Sequence, residues 1–438
     1  GSLMMVIGND PRFHTMRGSS FWRLQRDCRP VLTSIDDRTA QTYRNREWLY
    51  SVYREGDLIH ALVHNEYHDP TEPNCRPGET GPFNPCWYNS ITYAASRDGG
   101  LTYTRSATPV APAPIRWEPS SAAARNRPHG YFNPSNIVRG GDGFYYALFL
   151  SQPTPTAALG GDCVMRTRTV SDPASWRAWN GSGFSVAMTS PYTGPDPEQC
   201  KVVIPGAAFA SLTYNTYLGA YVAVGNTVYP EVDGGPRVCG VFYSLSRDLV
   251  RWSTPQIISR VARPTFNGVS ECPDVPATEN NEGSGLYGAL IDHDSPSINF
   301  ETAGQAPYLY RMKVVSPTNI GARSLVRRPL IFVKGPGFTG DVSRPQMGVE
   351  APTNGVTLSG GLFDITGYAF DDIQLARVEV IVDGRFVANA TLGISRPDVF
   401  AGIAGSPPDS GFTYRTFIPL SPGAHTVTVG GGHDGECQ

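Results

Sequence analysis

Residues 96–103 read SRDGGLTY. Serine, aspartate, glycine, threonine and tyrosine at these offsets describe a hairpin turn. Ser96 and Asp98 bond turn amides, Gly100 takes a positive φ, and Tyr103 packs the turn down. Related turns recur at Asp172 in SDPASWRAW and at Asp248 in SRDLVRW. A weaker one lies near Asp36 in TSIDDRTAQTY, and a Pro/Asn/Gly turn, SPTNIGARS, lies at 316–324. The turns repeat at roughly 60–75 residues, which makes five similar units of about four strands each.

One unit reads REWLYSVYREGD, LIHALVHNEYH, CWYNSITYAASRDGG and LTYTR. Antiparallel four-stranded sheets repeated radially make a β-propeller; an open sandwich would not give this period. After about Arg344 the pattern changes to alternating strands around the turn VDGR and the segment SPGAHTVTV. That region resembles the bacterial immunoglobulin-like modules appended to exported enzymes. The expected fold is all-β: a five-bladed β-propeller over residues 1–344, which binds ligand and carries the chemistry, and a C-terminal immunoglobulin-like β-sandwich over 345–438, an accessory domain.

Composition agrees with many short strands. The chain is rich in Gly (47), Pro (38) and Tyr (21) and poor in charge, at 17%, and no segment has sustained helical periodicity. A net charge of −3 without lysine- or arginine-rich runs gives no reason to expect nucleic acid, and no apolar run suggests a membrane span. Eight cysteines without a CxxC pair argue against zinc clusters. Cys75 and Cys86, which flank a Pro/Gly/Asn-rich loop, are the leading disulfide candidate and Cys163–Cys200 the second. Disulfides imply an oxidising compartment, so a secreted or periplasmic protein is expected. The oligomeric state is left open.

Residues 62–68, LVHNEYH, raise the functional question. His64, Glu66 and His68 alternate, so on a strand they share one face. The turn at 96–103 joins third and fourth strands, at the bottom of a blade. By strand phase, first-strand starts then bring Arg46, Glu47, Asn133, Asn136, Glu271 and Asp274 to the top. Second-strand ends bring His64, Glu66 and His68, and also Asp292, His293 and Asp294 from LIDHDSPS. A third-strand start adds Trp87, Tyr88 and Asn89, and Tyr131 lies close by. Carboxylates, amides, imidazoles and aromatic rings converging on one mouth suit a carbohydrate.

The ECPD at 271–274 resembles the Glu-Cys-Pro motif of the five-bladed propeller glycosidases of the invertase and levanase group, which implies Glu271 as general acid. GNDPRFH offers Asp10 for that group's nucleophile, but near the chain start. YFNPSNIV has Asn133 where the group has a transition-state-stabilising Asp. The 96–103 turn resembles the Asp box of sialidases, and SRDLVRW resembles turns of arabinanase and xylosidase propellers. No arginine triad accompanies them.

Asp10, Glu47 and Glu66 compete as the base or nucleophile, each with a structural salt bridge as the alternative. His64, His68 and Glu66 can converge on a metal, although hydrogen bonding to substrate is the preferred expectation. No cofactor is required; a structural calcium at Asp292, His293 and Asp294 is allowed for. Trp87, Tyr88 and Tyr131 are candidate stacking platforms. The expected function is hydrolysis of a glycosidic bond in an oligo- or polysaccharide by a carboxylate pair. The alternatives are a non-catalytic carbohydrate-binding propeller, favoured by Asn133, and a polysaccharide lyase using His64 and Tyr88.

Overall fold

The computed structural model describes residues 2–9, 12–21, 23–69, 86–121, 128–152, 160–195, 197–230, 235–261, 285–314, 323–333, 346–359, 362–370, 377–403, 406–416 and 420–432. The chain divides into two compact units, Gly1–Pro329 and Leu330–Gln438. Both are built of strands, and among the described residues no helix is long and apolar enough to cross a membrane.

In the first unit the sheets follow chain order. Leu3–Asn9 and Arg12–Gly18 pair antiparallel and gather two short strands, Gln25–Arg26 and Leu32–Thr33. Glu47–Glu55, Leu58–His68, Trp87–Ser96 and Thr104–Arg105 form an antiparallel meander. A second meander runs through Tyr145–Gln152, Gly161–Thr167, Arg177–Trp179 and Phe184–Ala187. His129–Phe132 joins these two: it pairs parallel with the Trp87–Ser96 strand and antiparallel with Tyr145–Gln152. Ser211–Asn215, Ala220–Pro230, Arg237–Ser246 and Gln256–Arg260 make the next sheet. Gly285–Ile291, Tyr308–Val314 and Arg323–Pro329 make the last.

The strands form because β-branched and aromatic residues alternate with small or polar ones, and each apolar face is buried against a neighbouring sheet. One core cluster includes Leu62, Ile91, Tyr131, Phe149, Met165 and Trp176; another includes Leu148, Val164, Phe209, Leu212 and Phe242. Side chains also stitch successive sheets together through backbone groups. Asn136 clasps Leu212, donating to its carbonyl and accepting from its amide at 2.8 Å. Ser211 accepts from the Leu290 amide and Asn226 from the Gly288 amide. Each such bond contributes about 1 kcal/mol net, and leaving its buried partner unpaired costs more.

At 96–103 the Asp98 carboxylate accepts from the amides of Leu101 and Thr102 and from the hydroxyls of Ser96 and Thr102. The Ser96 hydroxyl accepts from the Gly100 amide, Gly100 has φ +82°, and Tyr103 is buried. Asp172 and Asp248 likewise accept from turn amides after their strands. Cys163 and Cys200 are disulfide-bonded. Cys86 is also in a disulfide, while Cys75 lies outside the described residues. Cys28 is free and exposed.

The second unit has two small sheets. One holds Gln346–Ala351, Asp364–Phe370, Gly411–Arg415 and Thr391–Ile394; the other holds Arg385–Asn389, Arg377–Val382 and Val427–Gly432. Ile365, Val378, Val380 and Phe412 fill the space between them.

Candidate functional site

Pairing register decides which of the expected residues meet. In the Leu58–His68 strand, His64, Glu66 and His68 lie opposite Ile91, Asn89 and Trp87 of the next strand. All six therefore share one face. The parallel pair Asn89↔Gly130 brings the His129–Phe132 strand alongside. Gly130 is needed there: at φ +109° a Cβ would stand 2.2 Å from the Asn89 carbonyl oxygen.

Aromatic rings frame the polar strip. Trp87 stacks on His68 with centroids 5.4 Å apart, and Phe132 meets both Trp87 and His64 edge to face. Tyr50 stands edge-on to His64 at 5.9 Å and to Tyr287 at 6.5 Å. It owes this position to a β-bulge between Leu49 and Ser51, which leaves Tyr50 out of the pairing.

Hydrogen bonds fix the protons here. The Trp87 indole N–H, which can only donate, lies 2.7 Å from the side-chain oxygen of Asn89. The Asn89 amide nitrogen faces the His129 carbonyl. His64 Nε2 is 2.9 Å from that same Asn89 oxygen, so Nε2 carries the proton and donates. Burial holds the His64 pKa below its ordinary value, which keeps the ring neutral and leaves Nδ1 an acceptor. Nδ1 faces Glu66 Oε1 at 3.9 Å, and His68 Nε2 faces Glu66 Oε2 at 3.5 Å. Both distances exceed a hydrogen bond. Among the described residues, none donates a hydrogen bond to the Glu66 side chain, which is 16% exposed.

The register also puts Asp162, which the sequence did not single out, on the same sheet face as Phe132, through Leu150. Asp162 is fully buried; one oxygen accepts from the Phe209 amide at 2.7 Å and the other has no partner among the described residues. Burial raises its pKa well above the ordinary carboxyl value. Burial, Tyr287, Glu66 and Asp162, in that order, raise the Tyr50 phenol well above its usual value.

Several expected site residues stand elsewhere. Glu47 is buried on the opposite face of its sheet, where its carboxylate accepts from Arg105 Nε at 2.7 Å and the Ile35 amide at 3.0 Å. Arg46 is exposed at φ +46° and offers its backbone carbonyl to the Glu66 amide. Tyr88, one residue from Trp87, points the other way into a core with Tyr43, Tyr67 and Trp117, and its hydroxyl donates to the Ile115 carbonyl. Tyr131 is buried against Phe149. Neither is a stacking platform. Asn136 is committed to Leu212, and Asn133 takes φ +44° beside Phe132.

Asp292, His293 and Asp294 are at the wrong end. They follow the strand Gly285–Ile291 and open a loop that runs past the far ends of other sheets. In that loop Asn299 bonds both backbone groups of Arg54, beside the turn opposite His68. Glu301 accepts from Tyr53 and from the Arg139 amide. Asp292 gives its two oxygens to the amides of Asp294 and Gly304, and His293 is stacked between Phe21 and Tyr308. Among the described residues no group of three or more His, Cys, Asp or Glu is placed to hold a metal ion. Asp10, Glu271 and Asp274 lie outside the described residues.

Residues 345–429 match the family model of the bacterial Ig domain. No curated protein matches the chain. Similar solved structures include an endo-arabinase from Bacteroides thetaiotaomicron VPI-5482 (10% identity, 76% of this chain and 90% of that chain, TM-score 0.40). A GH43_1 enzyme from Xanthomonas citri gives 12% identity, 75% and 85% coverage and a TM-score of 0.40. A β-xylosidase, RS223, gives 12%, 74% and 82%, and 0.38. Likeness at this level assigns neither a family nor an activity to this chain.

Proposed function

We propose that residues 1–344 form a five-bladed β-propeller, with a sialidase-type Asp box in its turns, that hydrolyses glycosidic bonds in an oligo- or polysaccharide. The reading rests on one observation: Glu66 stands beside two imidazoles, in a strip framed by the rings of Trp87, Phe132 and Tyr50, and no described residue donates a hydrogen bond to it. A carboxylate left accepting nothing inside a polar, aromatic-lined strip is suited to a reacting group or sugar hydroxyls. Glu66 is the base or nucleophile in this account. The acid is Glu271, on the resemblance of its Glu-Cys-Pro motif, with a carboxylate pair as in most glycosidases. Export fits the Cys163–Cys200 disulfide, and the C-terminal immunoglobulin-like unit is the accessory module.

A lyase is the second reading, favoured by the Tyr50–His64 contact; Tyr50 takes the place expected of Tyr88. The test is a panel of neutral and uronate polysaccharides, with reducing ends and ultraviolet absorbance both followed. New reducing ends without absorbance support hydrolysis. An absorbing, unsaturated product supports the lyase. Binding without any product leaves a carbohydrate-binding protein.

A further inference from the structure

Two acceptors face each other across 3.9 Å at His64 Nδ1 and Glu66 Oε1. The first is an acceptor because Trp87 orients Asn89 and Asn89 holds the His64 proton on Nε2. A single hydroxyl has one hydrogen and serves one acceptor at a time. A primary ammonium carries three, spread at tetrahedral angles, and reaches both acceptors from one atom. It also compensates the carboxylate. Among the described residues no lysine or arginine bonds Glu66, whose charged neighbours are His64 and His68.

We propose that the His64–Glu66 edge recognises a primary ammonium group, so that the glycan bound at this mouth contains an amino sugar with a free amine. The substrate class rests on the glycosidase reading; the recognition chemistry rests on the His64 tautomer. His64, Asn89 and Trp87 are then specificity-determining and positioning residues, with Glu66 the charged partner.

The test uses the full chain and three matched pairs: glucosamine and glucose, galactosamine and galactose, mannosamine and mannose, titrated by NMR alongside the N-acetylated forms. The expected result is at least one amine binding about tenfold or more tighter than its hexose, about 1.4 kcal/mol. That gain disappears in Glu66→Gln, and N-acetylation removes it in the wild type. Equal affinity for amine and hexose in every pair, equal binding of an N-acetylated form, or no binding of any amine overturns the proposal. A second measurement needs no ligand: the imidazole 15N shifts of His64 should report Nε2–H at neutral pH, and Nδ1–H or a charged ring contradicts it. Hydrolysis of neutral glycans with indifference to the amine would overturn this inference while leaving the glycosidase reading standing. A glycan panel without turnover would do the reverse.

Discussion

The side-chain oxygen of Asn89 accepts from both the Trp87 indole, at 2.7 Å, and His64 Nε2, at 2.9 Å. The indole decides which end of the amide is oxygen, and the amide decides which nitrogen of His64 keeps its proton. A ring two residues away thereby sets the polarity of the imidazole edge that faces Glu66.

Replacing Gly130 with alanine should disturb this arrangement at its base. The added Cβ overlaps the Asn89 backbone oxygen, and overpacking of this kind costs about 1–3 kcal/mol. Chemical denaturation should show the loss, and the His64 and Trp87 side-chain NMR signals should shift together. An unshifted site in a stable Gly130→Ala protein would mean that the close strand approach does not hold Asn89.

At the other end of the sheets, Asn299→Ala removes the paired bonds to the Arg54 backbone. A loss of about 1–2 kcal/mol is expected, with sugar binding unchanged because His64, Glu66 and His68 lie at the opposite end of that hairpin. A change in affinity larger than the change in stability would place the loop in the binding machinery.

Glu47 and Arg105 form a largely buried ion pair. Glu47→Gln leaves the guanidinium without its carboxylate, and breaking such a pair costs about 3 kcal/mol or more. Melting temperature should fall, while activity per folded molecule stays at the wild-type level.

In the C-terminal unit, Ser421, His425 and Asp383 look like a nucleophile relay but are a clamp. His425 Nδ1 meets Asp383 at 2.7 Å, yet Nε2 donates to the Ser421 carbonyl at 2.7 Å and its hydroxyl is 3.5 Å away. With protons on both nitrogens the ring cannot act as a base. The Asp383 and Ser421 bonds raise the His425 pKa above the ordinary 6.5. Its stabilisation is therefore complete below about pH 6.5 and declines as pH rises through the folded-state value. Thermal unfolding of the full chain from pH 5 to 9 should show this decline in the C-terminal transition, and His425→Gln should abolish it. A transition equally pH-dependent in the variant assigns the effect elsewhere.

Period-two alternation made the His64–Glu66–His68 face legible, because pairing preserves which residues share a face. The same rule separates Trp87 from Tyr88; adjacent residues cannot both face one mouth, and Tyr88 is core. Tyr50 was not legible because a bulge takes it out of the alternation. Asp162 was not legible because it is held by the Phe209 amide, which lies far away in sequence, just before the Ser211–Asn215 strand. Asp292 to Asp294 were misplaced because the strand Gly285–Ile291 delivers them to a loop that reaches Arg54, at the end opposite His68, the reverse of the phase expected.

The most direct measurement compares reducing-end release by the wild type, Glu66→Gln and Glu47→Gln, each corrected for folded fraction. Glu66→Gln should lose about 10²-fold or more in turnover and still bind glycan, while Glu47→Gln retains its rate. Undiminished turnover in Glu66→Gln, or a loss confined to Glu47→Gln, would contradict the assignment of the chemistry to this strand face.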